Sequence, residues 1–285
     1  MKFLSAGFQS FEFLFLIFEL FLKYKGLKVM HRFFVTDQSL RGKQVTLTGQ
    51  QAHQIHNVLR MGPGDHIIVL DNTGSEYTVA LTEVGRQQVL GQVMYKQPVQ
   101  AEPRTQITLY QSILAREKFE WVLQKCTEVG VTRFVPTVTE RSIVRRPDTV
   151  TGRRLSRWRR IVTEAAEQSG RGRIPQLEAP VNFPDAVSGL GGFDRSLIGS
   201  PHAAGPSLRE LLQGGDTEPV RQWRIALLIG PEGGFTDEEV QHACVNGANP
   251  ISLGRRILRT ETAAMVASAI ILYEMGELGP KTASG

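Results

Sequence analysis

The fold is decided by the stretch Leu227-Leu228-Ile229-Gly230-Pro231-Glu232-Gly233-Gly234-Phe235, an apolar run that passes into a glycine-rich loop. Ile225–Gly230 has the nearly continuous apolar character of a strand buried on both faces of a parallel sheet. A predicted helix, Asp237–Asn246, follows the loop and begins with an acidic turn, which suits a helix N-terminus. Ligands of α/β sheets bind at the carboxyl ends of strands, where glycines let the backbone approach them closely. The stretch therefore predicts an α/β fold with a ligand site at its glycine loop.

Two common phosphate-binding motifs do not account for this loop. No Gly-Lys-Ser/Thr follows it, and the Gly-x-Gly-x-x-Gly fingerprint of dinucleotide-binding proteins is absent. Taken alone, the loop could equally be a plain glycine turn that links a strand to a helix.

A second glycine loop favours the ligand site. Pro250–Leu253 is predicted as a strand, and Gly254 follows it at the start of a loop with three arginines. The predicted closing helix, Glu261–Gly276, contains small residues that permit close packing. Two such loops at adjacent strand ends predict one composite pocket for an uncharged or mixed-charge ligand, such as an adenosine-containing cofactor. A side chain introduced at Gly233 is expected to fill space that the backbone needs.

The rest of the C-terminal half alternates between strands and helices. This alternation is typical of an α/β domain with a largely parallel sheet. The further predicted strands are Ile107–Ile113, Phe134–Val138 and Ser196–Gly199, and the further helices are Glu117–Glu128, Leu155–Gln168 and Leu208–Leu212.

The N-terminal half predicts a small β-barrel. Its five strands are rich in β-branched and aromatic residues and are His31–Val35, Val45–Thr48, His66–Leu70, Glu76–Glu83 and Val89–Tyr95. One helix, Gly49–Arg60, interrupts them. A proline-containing linker at residues 98–104 separates this domain, residues 30–97, from the α/β domain at residues 105–279. Residues 280–285 form a tail.

Residues 1–29 differ in composition from the rest and hold seven of the fourteen phenylalanines. Glu12 and Glu19 interrupt the apolar run, which argues against a transmembrane helix, and no signal-peptide cleavage site is present. We expect Met30 to be the true start and residues 1–29 to be an extension outside the fold. A peripheral helix that anchors the chain to a membrane is the weaker alternative.

Composition excludes several classes of protein. A chain of 285 residues with 41% hydrophobic and 21% charged residues is an ordinary globular protein of about two domains. Cys126 and Cys244 lie far apart, so we expect no disulfide scaffold or zinc ribbon and a cytoplasmic protein. His53 and His56 lack a third ligand nearby, so we expect no metal.

A basic stretch at residues 133–173 predicts a nucleic-acid partner. It contains eleven arginines and four acidic residues, a net charge of +7 against +5 for the whole chain. Arg153, Arg157 and Arg160 share one helix face by their spacing. A solvated charged face is the alternative, but a footprint on an RNA backbone is favoured. The predicted RNA-binding residues are Arg32, Arg60, Arg153, Arg157, Arg160, Arg171 and Arg173.

The motifs Gly-Pro-Glu-Gly-Gly at 230–234 and Leu-Gly-x-Arg-Ile-Leu-Arg-x-Glu-Thr-Ala at 253–263 closely resemble those of the bacterial ribosomal small-subunit (16S) RNA uridine-N3 methyltransferases of the SPOUT superfamily. The resemblance extends from Met30 to about Gly279 and leaves residues 1–29 without a counterpart. It implies a PUA-like β-barrel joined to a SPOUT-type α/β methyltransferase domain with a C-terminal trefoil knot. It also implies a homodimer that binds S-adenosylmethionine in the knot and acts on ribosomal RNA or the small ribosomal subunit.

The resemblance assigns the cofactor site to residues of both glycine loops. Apolar members would line the adenine slot, and backbone groups would read its edge. The implied cofactor-binding residues are Leu228, Gly230, Glu232, Gly233, Ser252, Leu253, Gly254, Ile257, Leu258, Arg259 and Thr262.

Methylation at uracil N3 requires loss of the N3 proton. Arginine stays protonated, so Arg259 and Arg116 are predicted to stabilise the uracil anion, while Glu232 or water accepts the proton. Two alternatives remain open at this point: transfer to a ribose 2′-hydroxyl or another RNA, and a non-catalytic RNA-binding module.

Overall fold

A computed structural model describes residues 30–201, 206–213 and 222–279. The expectations for the extension at 1–29 and the tail at 280–285 lie outside these residues. The chain divides into two compact units, one formed by the residues up to Asp71 together with Ser75–Gln97, the other by Asn72–Gly74 together with the residues from Pro98 onward. Within the described residues, no helix combines the length and the apolar character needed to cross a membrane.

The first unit is a six-stranded, mostly antiparallel sheet. Its core draws Phe33 and Val45 from strands near opposite ends of the strand order, so the sheet is curled around one cluster of side chains. The strands, in the spatial order β1-β4-β5-β6-β3-β2, are β1 (Arg32–Phe34), β2 (Leu40–Arg41), β3 (Gln44–Thr48), β4 (His66–Leu70), β5 (Ser75–Val84) and β6 (Gln88–Pro98).

The helix expected at Gly49–Arg60 is shorter and less regular than predicted. An α-helical turn, α1 (Gly49–His53), continues as a π-helical turn at Gln54–Val58. Arg60 then adopts a left-handed conformation with φ of +52°, which ends the element.

The second unit is built on a parallel seven-stranded sheet. The strands are β7 (Gln106–Ser112), β8 (Arg133–Val138), β9 (Gln176–Leu177), β10 (Val181–Asn182), β11 (Arg195–Gly199), β12 (Arg224–Ile229) and β13 (Ala248–Ile251). Their spatial order is β10-β8-β7-β12-β11-β13, with β9 also paired to β8. From β7 the chain continues to β8 on one side of the sheet, whereas β12 and β11 lie on the other side. The strand order therefore reverses between β7 and β12. Ligands of α/β folds bind at the carboxyl ends of the strands at such a switch point.

Among the described residues, six helices flank this sheet. They are α2 (Arg116–Val129), α3 (Gly152–Gln168), α4 (Phe183–Ser188), α5 (Leu208–Gln213), α6 (Asp237–Val245) and α7 (Thr260–Glu274). The Thr151 hydroxyl caps α3, and a capping box of Thr236 and Glu239 begins α6, as the acidic first turn there predicts. α4 escapes prediction because it has only six residues and carries a proline at its start.

The apolar run of β12 is explained by burial on both faces. Ile225, Leu227 and Ile229 pack in one core cluster with α2, α3 and α7, whereas Ala226 and Leu228 pack in another with α4 and α6. Successive side chains of a strand point to opposite faces, so a strand covered on both sides must be apolar throughout.

The last strand lies two residues earlier than predicted. It pairs with β11 over Ser196–Gly199 and ends at Ile251, so Ser252 and Leu253 belong to the following loop. This shift lengthens the loop at the sheet's carboxyl edge.

Candidate functional site

The turn after β12 is closed tightly on itself. A Cβ atom at Gly230 would lie 3.1 Å from the backbone of Gly234 and of Phe235 and 3.2 Å from the Phe235 ring. The Gly234 amide donates to the Pro231 carbonyl at 2.9 Å, and Gly234 has a φ of +67°. Gly230 is therefore required by close approach, and Gly234 by its left-handed conformation.

The loop at residues 252–259 runs from β13 to α7. Gly254 makes its bend possible with a φ of +104°. The Ile257 side chain is 87% exposed, which is unusual for so large an apolar group. The loop thus presents backbone and an uncovered apolar side chain to a ligand.

A buried set of hydrogen bonds joins the two loops. The Thr260 hydroxyl, at the first residue of α7, donates to the Gly230 carbonyl. The Gln111 amide nitrogen lies 3.3 Å from the Thr260 hydroxyl and 3.4 Å from the Ile229 carbonyl. β7, β12 and α7 are thereby fixed to one another, and the two glycine loops lie side by side.

Both loops line one cavity of about 520 Å³. The ends of two further strands complete its wall, with Gly199–Pro201 after β11 and Lys118 in the first turn of α2 after β7. Four adjacent strand ends therefore contribute to a single pocket, as a ligand site at a switch point of a parallel sheet requires.

The cavity carries charges of both signs. The Lys118 ammonium lies 2.8 Å from the Glu232 carboxylate, and the two side chains are 38% and 37% exposed. The hydrogen bond from Lys118 lowers the pKa of Glu232, and the same bond raises the pKa of Lys118. Arg259 and Glu261 also line the cavity. Such a pocket suits a ligand with charges of both signs.

A groove of about 960 Å³ lies between α2, α3 and the segment around Ile143, and we call it the arginine groove. Of the residues that the structure describes, Glu120 is the single acidic one that lines the groove, and it accepts two hydrogen bonds from Arg157, at 2.5 and 2.8 Å. Arg154 lies over the Trp158 ring at 4.8 Å. The arginines that line the groove are Arg116, Arg153, Arg154, Arg157 and Arg160.

Comparison with known proteins identifies the chain. The family model of the RNA methyltransferase domain matches residues 101–272, and that of the RNA methyltransferase PUA domain matches residues 47–94. A Synechocystis protein named Ribosomal RNA small subunit methyltransferase E is 36% identical over 244 residues, which cover 85% of this chain and 77% of the relative. The chain belongs to the ribosomal RNA small subunit methyltransferase E family. A Bacillus subtilis methyltransferase of the same name is 29% identical, and the match covers 86% of this chain and 97% of that relative.

Solved structures of this methyltransferase family share the fold. The Neisseria gonorrhoeae Ribosomal RNA small subunit methyltransferase E, bound to S-adenosyl methionine, is 33% identical with a TM-score of 0.76. A Legionella pneumophila methyltransferase in complex with the same cofactor is 31% identical with a TM-score of 0.77. Each match covers 86% of this chain and 98% of the other. The predicted class, a SPOUT-type knotted α/β domain with a PUA-like barrel, is confirmed.

Eight of the eleven predicted cofactor residues of the methyltransferase line the cavity: Gly230, Glu232, Ser252, Leu253, Gly254, Ile257, Leu258 and Arg259. Three do not line it. The Leu228 side chain belongs to the core, and Thr262 lies inside α7. At Gly233 a Cβ would meet the Arg141 side chain at 3.3 Å, and the Gly233 carbonyl accepts a hydrogen bond from Arg141 at 2.8 Å. The atoms nearest to an added side chain at Gly233 are therefore those of the Arg141 side chain, whereas the sequence had suggested that it would meet backbone.

The predicted catalytic residues fall in two places. Arg259 and Glu232 line the cavity, whereas Arg116 lies in the arginine groove, 3.6 Å from Glu120. Arg116 and Lys118 are two residues apart on a helix and so face different sides, which separates Arg116 from the cavity. The lowered pKa of Glu232 makes its carboxylate a weaker proton acceptor than an ordinary glutamate.

The predicted RNA-binding residues also divide. Arg153, Arg157 and Arg160 come together in the arginine groove.

Arg171 does not fit its predicted role in RNA binding, because its side chain is only 3% exposed. It donates to the carbonyls of Thr127 and Val131 and forms an ion pair with Glu102. Its guanidinium is occupied by the protein's own acceptors, so it holds the fold together and is not free for a phosphate.

The other three predicted RNA-binding arginines lie outside the arginine groove. Arg173 is exposed and donates to the Thr73 carbonyl at 2.8 Å. Arg32 is paired with Glu76 at 2.6 Å, and Arg60 is exposed.

Lys118, Gly199–Pro201, Gln111 and Thr260 were missed by sequence reasoning. Lys118 had a usable signal, since it stands in the first turn of a predicted helix just after a predicted strand. Gly199–Pro201 had a similar signal, because this segment stands at the carboxyl end of a predicted strand. Gln111 and Thr260 had none, because a single glutamine or threonine does not reveal which distant loop it will meet.

Proposed function

We propose that this chain transfers the methyl group of S-adenosylmethionine to N3 of a uridine in small-subunit ribosomal RNA. The observation that carries the proposal is the cavity of about 520 Å³ enclosed by the two glycine loops that Thr260 joins. Cofactor-bound relatives of the same fold support it.

The residues of the cavity fit this cofactor. S-adenosylmethionine combines an adenine, a cationic sulfonium and an amino-acid end with both charges. The cavity offers an exposed apolar side chain, Ile257, together with charged groups of both signs: Glu232, Glu261, Lys118 and Arg259. The loop at 252–258 would hold the adenine with backbone and apolar groups. When bound, the cofactor supplies an electrophilic methyl group.

The arginine groove is proposed as the track for the RNA backbone. Arginines bind phosphates through paired donors and release counterions on binding. The first turn of α2 borders both the groove, through Arg116, and the cavity, through Lys118. RNA held along the groove would therefore deliver an extruded base to the cavity.

The protein's part in the reaction is to favour the uracil anion. Arg259 is proposed to stabilise the negative charge that develops when N3 loses its proton. Glu232, ionised and bonded to Lys118, is proposed to hold that lysine, and water to accept the proton. Arg116 is better placed to contact the RNA than to contact the base.

Division of labour between two domains is also proposed. The PUA-like domain at residues 30–97 would grip RNA through Arg32 and Arg60, and residues 105–279 would carry the reaction, with 98–104 as linker. The proposed substrate implies a cytoplasmic enzyme.

A homodimer is proposed on the basis of α7. Thr262, Val266, Ala269 and Tyr273 follow one another at helical spacing along one face, and Tyr273 is 63% exposed. None of the four is fully buried, although the helix is largely apolar. A second copy of this chain would cover this stripe. Light scattering should give twice the chain mass, and Tyr273→Arg should shift it toward the monomer.

The activity is tested with the purified protein, labelled S-adenosylmethionine and two substrates from cells that lack the enzyme: small ribosomal subunits and the RNA extracted from them. Nucleoside analysis should detect 3-methyluridine. A methyl group on ribose would overturn the N3 assignment. RNA binding with no methyl incorporation would overturn the enzymatic role.

A further inference from the structure

One lysine, Lys118, lies among the described residues that line the cavity, and it comes from neither glycine loop. Its ammonium has three donors, and the bond to Glu232 at 2.8 Å uses one of them. We propose that Lys118 is a further catalytic residue, which donates a hydrogen bond to a carbonyl oxygen of the target uracil and stabilises the N3 anion. This inference rests on the proposed function.

The placement of Lys118 supports contact with the base. It stands in the first turn of α2, two residues beyond Arg116, which lines the arginine groove. An RNA strand in the groove and a base in the cavity would therefore meet at this turn. Lys118 is 38% exposed, so its ammonium is accessible to a ligand.

Glu232 keeps the ammonium in place. The carboxylate belongs to the turn after β12, whose conformation is fixed by Gly230 and Gly234. Lys118 thereby has a partner that stands on a constrained turn at one side of the cavity, and we assign Glu232 the part of a positioning residue.

The charge of Lys118 suits a donor and not a base. The hydrogen bond to Glu232 raises the pKa of Lys118 further above neutrality, so the side chain remains protonated. A fixed cation aimed at an oxygen that becomes negative is an effective form of catalysis.

The reaction balances without any further reactant. Uracil N3 gives its proton to water, and the negative charge spreads onto the two carbonyl oxygens. The N3 lone pair forms the bond to the methyl carbon, while the electrons of the carbon–sulfur bond remain on sulfur, which becomes a neutral thioether. Lys118 gains and loses no proton in this scheme.

The experiment compares two RNA substrates, one with uridine and one with 5-fluorouridine at the target position. Fluorine makes the N3 proton more acidic, so the anion forms with less help from the enzyme. Lys118→Met should lower the single-turnover rate on the uridine substrate by about 10²–10³-fold, the usual effect of removing one such donor. On the 5-fluorouridine substrate the loss should shrink to about tenfold or less, and Lys118→Arg should retain more activity than Lys118→Met on both.

Lys125→Met is the matched control. Lys125 lies on the same helix and also pairs with a glutamate at 2.8 Å, Glu128, but it does not line the cavity. The control variant should methylate both substrates at the rate of the unmodified enzyme.

Three results would overturn the inference while leaving the proposed function intact. An equal loss on both substrates would indicate a role unconnected with the anion. An affinity for S-adenosylmethionine lowered more than tenfold, measured by calorimetry, would place Lys118 on the cofactor. An unchanged rate on uridine would remove it from the mechanism. Absence of any 3-methyluridine from the unmodified enzyme would instead refute the proposed function itself.

Discussion

Replacement of Gly230 by alanine tests the geometry of the cofactor turn. The added Cβ would lie 3.1 Å from the backbone of Gly234 and Phe235, and these are atoms that cannot rotate away. Ordinary contacts of a Cβ are 3.4–4 Å, so the turn must open by a few tenths of an ångström. Opening it also shifts the Gly230 carbonyl, which accepts the hydrogen bond from Thr260.

The magnitude follows from two opposing effects. Overpacking of a closed site costs about 1–3 kcal/mol, whereas replacing glycine by alanine recovers about 0.4–1 kcal/mol through the unfolded chain. For mid-range values of both effects, the net loss of unfolding free energy is about 1–2 kcal/mol. Cofactor binding involves only the folded chain, so if the cofactor requires the undistorted turn, its affinity should fall by the full overpacking cost of about 1–3 kcal/mol, or about 5- to 150-fold, because 1.4 kcal/mol corresponds to tenfold. The melting temperature should fall by about 2–8 °C.

Isothermal titration calorimetry with S-adenosylmethionine and thermal denaturation measure these two quantities. Gly152→Ala is the matched control, because a Cβ at Gly152 meets nothing within 4 Å and the residue begins α3. That variant should bind the cofactor normally and melt no lower than the unmodified protein. Normal affinity together with an unchanged melting temperature in Gly230→Ala would refute the assignment of the turn.

Three further predictions concern the hydroxyl that joins the loops, the groove and the buried arginine. Thr260→Val leaves the Gly230 carbonyl without its donor and should cost about 1–3 kcal/mol of unfolding free energy in urea denaturation, so an unchanged midpoint would contradict the role of that bond. Arg153→Glu should weaken RNA binding and reduce the slope of log affinity against log salt by about one, with cofactor affinity unaffected; an unaltered slope would remove Arg153 from the RNA track. Arg171→Met leaves Glu102 without its ion pair and should destabilise the protein by about 3–5 kcal/mol, whereas normal stability with weaker RNA binding would restore the original RNA-binding assignment.

The sequence predicted those features of the site that depend on local structure. An apolar strand followed by glycines, and then by a capped helix, has few conformations available, so residues 230–234 could be placed at a strand end. Gly254 likewise marked the loop after the last strand, although that strand ends two residues earlier than predicted. Eight of the residues that were predicted to bind the cofactor line the cavity. The spacing of Arg153, Arg157 and Arg160 likewise fixed them to one helix face.

Features that depend on long-range contacts could not be predicted. Arg171 stands next to other arginines in the sequence and looks like one more surface cation. It is buried because Glu102 and the carbonyls of Thr127 and Val131, 40 to 69 residues away, surround it in the fold. The net charge of a segment counts every arginine alike. Only the packing of the folded chain distinguishes arginines that are bonded to protein acceptors from arginines that can bind a phosphate.

The junction of the two glycine loops explains how a loop as open as 252–259 can form a defined site. Its backbone is exposed and glycine-containing, and such a segment would lose much conformational entropy if a ligand alone had to order it. Instead Thr260 fixes its C-terminal end to Gly230 through a buried hydrogen bond, and pairing of Ile251 with Gly199 fixes its start. Most of the conformational entropy of this loop is therefore lost when the domain folds and not when the ligand binds, so ordering of the loop subtracts little from the free energy of ligand binding. Loss of the hydrogen bond between Thr260 and Gly230 should therefore weaken cofactor binding through the loop at 252–259, even though the Thr260 hydroxyl itself contacts the loop at 230–234.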